Sequence, residues 1–236
     1  MTLSHVKCYF AQVNIFLALL LQNVVVCEKL NAHVSLNVDG EGFHRYLTYQ
    51  VNFDDYVDGC YIALFFTLPP SLYANINELN DLSRLGINTA CAIGETDVEL
   101  FTDKAVSQNI TVCSFLIGTK TTLKLPIHQR YVYVNENSSH SPVTLQKPSL
   151  LLGCKKRIRE HRTSKIDLCS PCVQLVSKWR EIPYKDIEDI VWTIPVGDSS
   201  MVPVATYVTL LITILFTIFL LQTIRKSIPK PDKKRQ

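Results

Sequence analysis

The residues that could do chemistry fall into a few groups. His44 and Arg45 form one polar group. His128, Arg130 and Tyr131 form another, and both have aromatic neighbours on stretches that read as strands. By composition they are edge or surface residues. Cys169-Ser170-Pro171-Cys172 has the C-x-x-C spacing of a redox pair. An active pair of that kind starts a helix, whose dipole lowers a thiol pKa. No βαβ unit is visible to supply one, and Cys60, Cys91, Cys113 and Cys154 compete as partners, so structural disulfides are expected. Zinc held by Cys154, His161, Cys169 and Cys172 is disfavoured, because an oxidising compartment removes thiolates. Glu95, Asp97 and Glu99 share one face if extended and could hold a divalent cation, as acidic pairs do in some sugar-nucleotide transferases. A solvated strand edge explains them as well. Lys155-Lys156-Arg157-Ile158-Arg159, with Arg162 and Lys165, is the one basic cluster of the body. It reads as a solvated loop, with phospholipid headgroups as the alternative contact. There is no G-x-S-x-G, H-E-x-x-H or phosphate-binding glycine loop. No catalytic, cofactor-binding or metal residue is assigned, and no cofactor is expected.

Charge and hydropathy place these groups relative to a membrane. The chain has 24 Lys+Arg against 21 Asp+Glu, a net charge of +3. The excess sits at the C-terminus, in Arg225, Lys226, Lys230, Lys233, Lys234 and Arg235, and leaves residues 28–200 net acidic. A nucleic-acid binder would carry its positive charge on the folded body instead. Met201–Ile224 has no charged side chain. About 20 apolar residues cross a hydrocarbon core, so this run reads as a transmembrane helix. Glu181, Asp186, Glu188, Asp189 and Asp198, against one Lys185, precede it, while Arg225 and Lys226 follow at once. The excess of Lys and Arg on one side places the tail in the cytosol and the body across the membrane. Lys7, the apolar Ile15–Leu21 and Val24–Val26 resemble a secretory signal over residues 1–27, without a clean cleavage motif. A lipid-anchor signal around Gly197–Ser200 is rejected, because a basic segment follows the apolar run.

The expected organisation is therefore a signal over 1–27, a lumenal domain over 28–200, a span over 201–224 and a basic cytosolic tail over 225–236. Six cysteines in a translocated domain suit disulfides, with fifteen pairings open. Asn109-Ile110-Thr111 and Asn137-Ser138-Ser139 are N-glycosylation sequons. Lys233 and Lys234 resemble a dilysine retrieval signal of endoplasmic-reticulum membrane proteins. The cell-surface ectodomain, the main competing reading, has no use for such a signal.

The body is read as mainly β. His44–Phe53 alternates with period two, and Cys60–Leu68 is a nearly continuous apolar run. Thr111–Ile117, Thr121–Leu125, Arg130–Val134, Leu150–Cys154, Cys172–Ser177 and Ile190–Val196 read as further strands. Tyr73–Leu85 alone has helical spacing, with Gly86 as a stop. Many short strands and one helix predict an antiparallel β-sandwich-like domain followed by a single transmembrane helix.

At these segments the chain resembles a known family. Gly42-Phe43-His44-Arg45, Leu68-Pro69-Pro70-Ser71-Leu72-Tyr73-Ala74 followed by Glu78-Leu79, and Leu125-Pro126-Ile127-His128-Gln129-Arg130-Tyr131 are similar to the PIG-X/Pbn1 family. Pro148, Leu150–Cys154 and Ile194-Pro195-Val196-Gly197 before the apolar run extend the likeness. It departs after Tyr131, where Val132–Ser141 displaces a typical proline. The resemblance implies a non-catalytic subunit of glycosylphosphatidylinositol mannosyltransferase I, with a single span and a lumenal body. Its implied partners are the multi-span catalytic subunit PIG-M and membrane lipid, with dolichol-phosphate-mannose as the enzyme's donor. His44, Arg45, His128, Arg130 and Tyr131 become candidates for contact with that partner.

Overall fold

The computed structural model describes residues 8–10, 25–27, 30–55, 58–134, 139–156 and 161–227. Its strands are β1 (Cys8–Phe10), β2 (Val25–Cys27), β3 (Ala32–Asp39), β4 (His44–Phe53), β5 (Cys60–Leu68), β6 (Leu72–Tyr73), β7 (Thr89–Gly94), β8 (Gln108–Phe115), β9 (Lys120–Gln129), β10 (His140–Leu145), β11 (Ser149–Cys154), β12 (Trp179–Glu181) and β13 (Ile190–Pro195). Helix α1 (Ile76–Arg84) follows β6, and α2 (Val202–Ser227) closes the described chain. Most of the expected signal segment lies outside the described residues; Cys8–Phe10 and Val25–Cys27 pair antiparallel. The chain divides into two compact units, Met1–Val132 with Pro142–Ile194, and Tyr133–Ser141 with Pro195–Gln236.

In the first unit the strands form a five-stranded sheet, β12-β11-β5-β8-β7, and a four-stranded sheet, β3-β4-β9-β6. A ribbon of β10 and β13 accompanies them. The described pairings are antiparallel. The alternation in β4 turns Leu47, Tyr49, Val51 and Phe53 inward. They meet Ile62, Leu64 and Phe66 of β5, Ile110 and Val112 of β8, and Leu150 and Leu152 of β11 in one buried cluster. Tyr49 and Phe66 lie 5.4 Å apart, ring to ring, across it. Both sheets line this one core, which is the layered β architecture the alternation predicts.

The apolar run of β5 has a second cause. Ile62, Leu64 and Phe66 face the core, whereas Ala63 enters a separate buried cluster with Cys113, Leu151, Leu168, Cys172 and Trp179, against which Tyr61 and Phe65 pack. A strand covered on both faces reads as continuous rather than alternating. The cover on this outer face is the segment around residues 166–179, and two disulfides pin it there. Cys91 on β7 joins Cys169, and Cys113 on β8 joins Cys172, both with Cα atoms 5.9 Å apart. The third bridge, Cys60–Cys154, links residues directly opposite each other on β5 and β11.

Several local expectations change. Cys172–Leu175 is a 3-10 turn rather than part of a strand, because Cys172 must reach down to Cys113. Arg130–Val134 is not a strand: β9 ends at Gln129, and the Tyr131 carbonyl accepts from Thr102 N–H. The helix begins at Ile76, where the Asn75 side chain accepts from the Asn77 N–H, an N-cap. Gly86, at φ +68°, ends it as expected.

In the second unit α2 runs for 26 residues with no apolar stripe. Residues Ser199–Ser227 are long and apolar enough to cross a membrane. Its threonine hydroxyls are satisfied internally: Thr206, Thr209, Thr213 and Thr217 each donate to the carbonyl four residues earlier. In hydrocarbon a hydroxyl needs such a partner.

Candidate functional site

Most of the predicted polar residues meet at the outer face of the four-stranded sheet. Register makes the meeting. On β4, His44 lies directly opposite His128 of β9, and His128 lies opposite Tyr73 of β6. Neighbouring strands run about 4.8 Å apart, close to a ring-stacking distance. The three rings therefore stack in a row. His44 and His128 are 4.2 Å apart and 12° from parallel, and His128 and Tyr73 are 5.0 Å apart and 17° from parallel. Tyr46 tilts onto His44 at one end, at 4.6 Å. The Arg130 guanidinium covers Tyr73 at the other end, 4.7 Å from the ring centre, a cation–π contact.

Each end is anchored. Arg130 is only 2% exposed. One of its terminal nitrogens donates to the carbonyls of Asp97 at 2.6 Å and Leu100 at 3.2 Å. Burial lowers the guanidinium's pKa, opposed chiefly by the nearby Glu95. Burial likewise raises the pKa of the Tyr73 phenol, against the Arg130 cation, which lowers it. Glu78, on the first turn of α1, places one carboxylate oxygen 2.9 Å from His128 Nε2 and 3.7 Å from His44 Nε2. Beside Arg130, the exposed ring of Tyr131 packs 5.3 Å from Phe43 and 6.1 Å from Phe101. Burial of Leu79 and the α1 cap hold Glu78 over the sheet.

His44, His128, Arg130 and Tyr131 are thus gathered on one region, and Arg45 is not among them. Alternation turns Arg45 to the other face of β4, where its guanidinium lies 5.2 Å from the Trp192 ring centre. Tyr73, Glu78, Phe43 and Phe101 are the site residues that sequence reasoning left unassigned. The first three lie in the segments that carried the resemblance, which was the signal available.

The remaining candidates separate. Cys169 and Cys172 are bound to different strands, so they do not form a dithiol pair, and no thiolate of the four-residue zinc set is free. Glu95 and Asp97 turn their carboxylates back onto the N–H groups of Asp97 and Glu99, so they cap a loop rather than line a strand edge. Asn109 is half-buried inside β8, which is paired on both sides. Asn137, Lys233 and Lys234 lie outside the described residues.

With this geometry in place, a family model described as PIG-X / PBN1 matches residues 40–225. The chain belongs to the PIG-X/PBN1 family. The match takes in both the ring stack and α2. This family is involved in glycosylphosphatidylinositol mannosyltransferase I function, as an accessory subunit. No curated protein gave a match to the chain. Within this fold, the stack is a row of partly exposed rings ending on the buried Arg130, on a sheet whose other face lines the core.

Proposed function

We propose that the chain is a non-catalytic stabilising subunit of glycosylphosphatidylinositol mannosyltransferase I. It holds the multi-span catalytic subunit, PIG-M, in an active form while that subunit transfers the first mannose from dolichol-phosphate-mannose. The observation that carries this reading is the family match, which over residues 40–225 takes in most of the β body and most of α2. In this reading the protein is single-pass type I in the endoplasmic reticulum, with the body in the lumen. Three disulfides suit an oxidising lumen, and Arg225 and Lys226 at the end of α2 suit a cytosolic exit. The partly exposed His44 and His128, with the exposed rings of Phe43 and Tyr131 beside them and the buried Arg130 holding the row, form the surface we assign to the catalytic subunit. Exposed aromatics around a fixed arginine have the composition of interface hot spots.

The test is deletion with rescue. Cells lacking the chain should lose most of the mannosyltransferase protein and its activity, and the full chain should restore both and co-purify with the enzyme in mild detergent. Unchanged transferase abundance and activity after deletion would remove the subunit reading. Location is tested apart from assembly, with the chain expressed in excess. Replacing Lys233 and Lys234 with serine should let glycans at Asn109 or Asn137 mature beyond endoglycosidase sensitivity.

A further inference from the structure

The two stacked histidines and Glu78 have a property that neither an ion pair nor a stack explains. Three potential ligand atoms, one each from His44, His128 and Glu78, all lie within 4.8 Å of one another. Only one contact among them is a good hydrogen bond, His128 Nε2 to Glu78 Oε2 at 2.9 Å. His44 Nε2 is shut off from solvent and has no hydrogen-bond partner. A buried polar nitrogen without a partner is destabilising, because its lost hydration is not replaced. Protonating both rings would not remove the difficulty, since two like charges would stack 4.2 Å apart over a single carboxylate.

We propose that His44, Glu78 and His128 bind a zinc ion. One cation accepts both imidazole lone pairs and a carboxylate oxygen, and so satisfies the orphaned nitrogen and the shared carboxylate together. Ligand bonds of about 2.0–2.1 Å at tetrahedral angles set ligand atoms about 3.3 Å apart. The observed separations from Glu78 Oε2, 2.9 and 3.7 Å, fall on either side of that spacing. The rings are now stacked 12° from parallel, so both imidazoles turn out of the stack as their lone pairs converge on the ion. Two imidazoles and one carboxylate are a borderline donor set that suits Zn²⁺, whereas Ca²⁺ and Mg²⁺ call for oxygen ligands throughout. The ligands come from β4, β9 and α1, so the ion ties the helix to the sheet. The His44 and Glu78 side chains are about one-third exposed, which leaves the fourth coordination position to water. This inference stands apart from the subunit reading, because it concerns the chain alone.

The experiment uses the full chain, purified in detergent through a tag without histidine, stripped of metal and titrated with Zn²⁺. One equivalent should bind with Kd roughly 1 µM or tighter, the range of a built site rather than of scattered surface groups. His44→Ala, His128→Ala and Glu78→Gln should each weaken binding by at least about tenfold. His33→Ala should not, although His33 also lies near two carboxylates, Asp54 and Asp186. Should a ligand variant fold poorly, the wild-type chain still decides the matter. Zn²⁺ should protect His44 and His128, but not His33, from diethylpyrocarbonate, and Co²⁺ should give the visible absorption of a tetrahedral site. No binding, binding that survives the three substitutions, or modification of His44 and His128 that ignores Zn²⁺ would each overturn the proposal.

Discussion

The outer faces of the two sheets have opposite fates. On the five-stranded sheet, residues 166–179 lie over Ala63, Leu151 and Cys113 and are bolted down by Cys91–Cys169 and Cys113–Cys172. On the four-stranded sheet, the corresponding face carries Tyr46, His44, His128 and Tyr73 in a row. The first face is apolar, so the chain must supply its own cover, and the cysteines fix that cover at long sequence separation. The second face is polar and aromatic, tolerates water and remains available. Cysteine chemistry therefore belongs to stability, and the histidine–arginine row is the part we propose for recognition.

The comparison breaks most sharply at the bridges. Cys169→Ser with Cys172→Ser removes both bolts. These close sequence separations of 78 and 59 residues. Each lost bridge costs about 2–5 kcal/mol. The pair together rivals the roughly 5–15 kcal/mol that holds a typical domain folded. The double variant should fail to accumulate, read as loss of steady-state protein and protease resistance. Normal abundance with a lost redox activity would instead restore the thiol-enzyme reading.

A smaller effect on the same face is expected at Gly153. A Cβ there would collide with Val176 and come within 3.0 Å of the Trp179 ring. Gly153→Ala should lower stability by about 1–3 kcal/mol, as overpacking does. The bridges would still form, and a thermal melt against wild type measures the shift.

These two faces differ also in how much of them could be read from the chain. The β4 and β5 strands were legible to the residue, because alternation marks one and burial on both faces marks the other. The Cys172–Leu175 turn was not, because its conformation is imposed by Cys113, far away in sequence. Edge strands such as β3 and β7 went unassigned, although β3 carries Ala32, Val34 and Leu36 at period two. For the site, His44, His128 and Arg130 were legible as residues and illegible as a row. Which strands pair, and in which register, decides that His128 stands between His44 and Tyr73, and no local pattern records it. Glu78 was hidden for a related reason, since it reaches the row from a helix.

On the open face, Arg130→Met tests whether the row has a structural anchor. The substitution leaves the Asp97 and Leu100 carbonyls without their donor and removes the cation over Tyr73. Buried acceptors left unpaired cost about 1–3 kcal/mol. Stability should fall by that order, less than on losing the two bridges, and the 97–100 loop should become more protease-sensitive. Unaltered cleavage in that loop would mean that the guanidinium does not hold it.

The smallest effect on folding, and the most informative for recognition, is expected from Phe43→Ala with Tyr131→Ala. Phe43 is 36% and Tyr131 65% exposed, so neither fills the core. Exposed positions away from special contacts change stability by about 0.5 kcal/mol or less each. Their mutual ring contact at 5.3 Å adds about 0.5–1.5 kcal/mol at most. The double variant should therefore fold, keep its three bridges and reach nearly normal abundance. If this rim packs against the catalytic subunit, truncating two aromatic anchors should nonetheless weaken co-purification, since buried interface aromatics cost about 2 kcal/mol or more when removed. Loss of the mannosyltransferase from the pull-down, with the melt nearly unchanged, separates recognition from folding. The matched control lies on the covered face. Gly153→Ala should lower the melt, and among molecules that remain folded it should leave the amount of partner recovered per chain unchanged. If both variants lose partner in proportion to lost stability, the open face has no special role, and contact with the enzyme runs through α2.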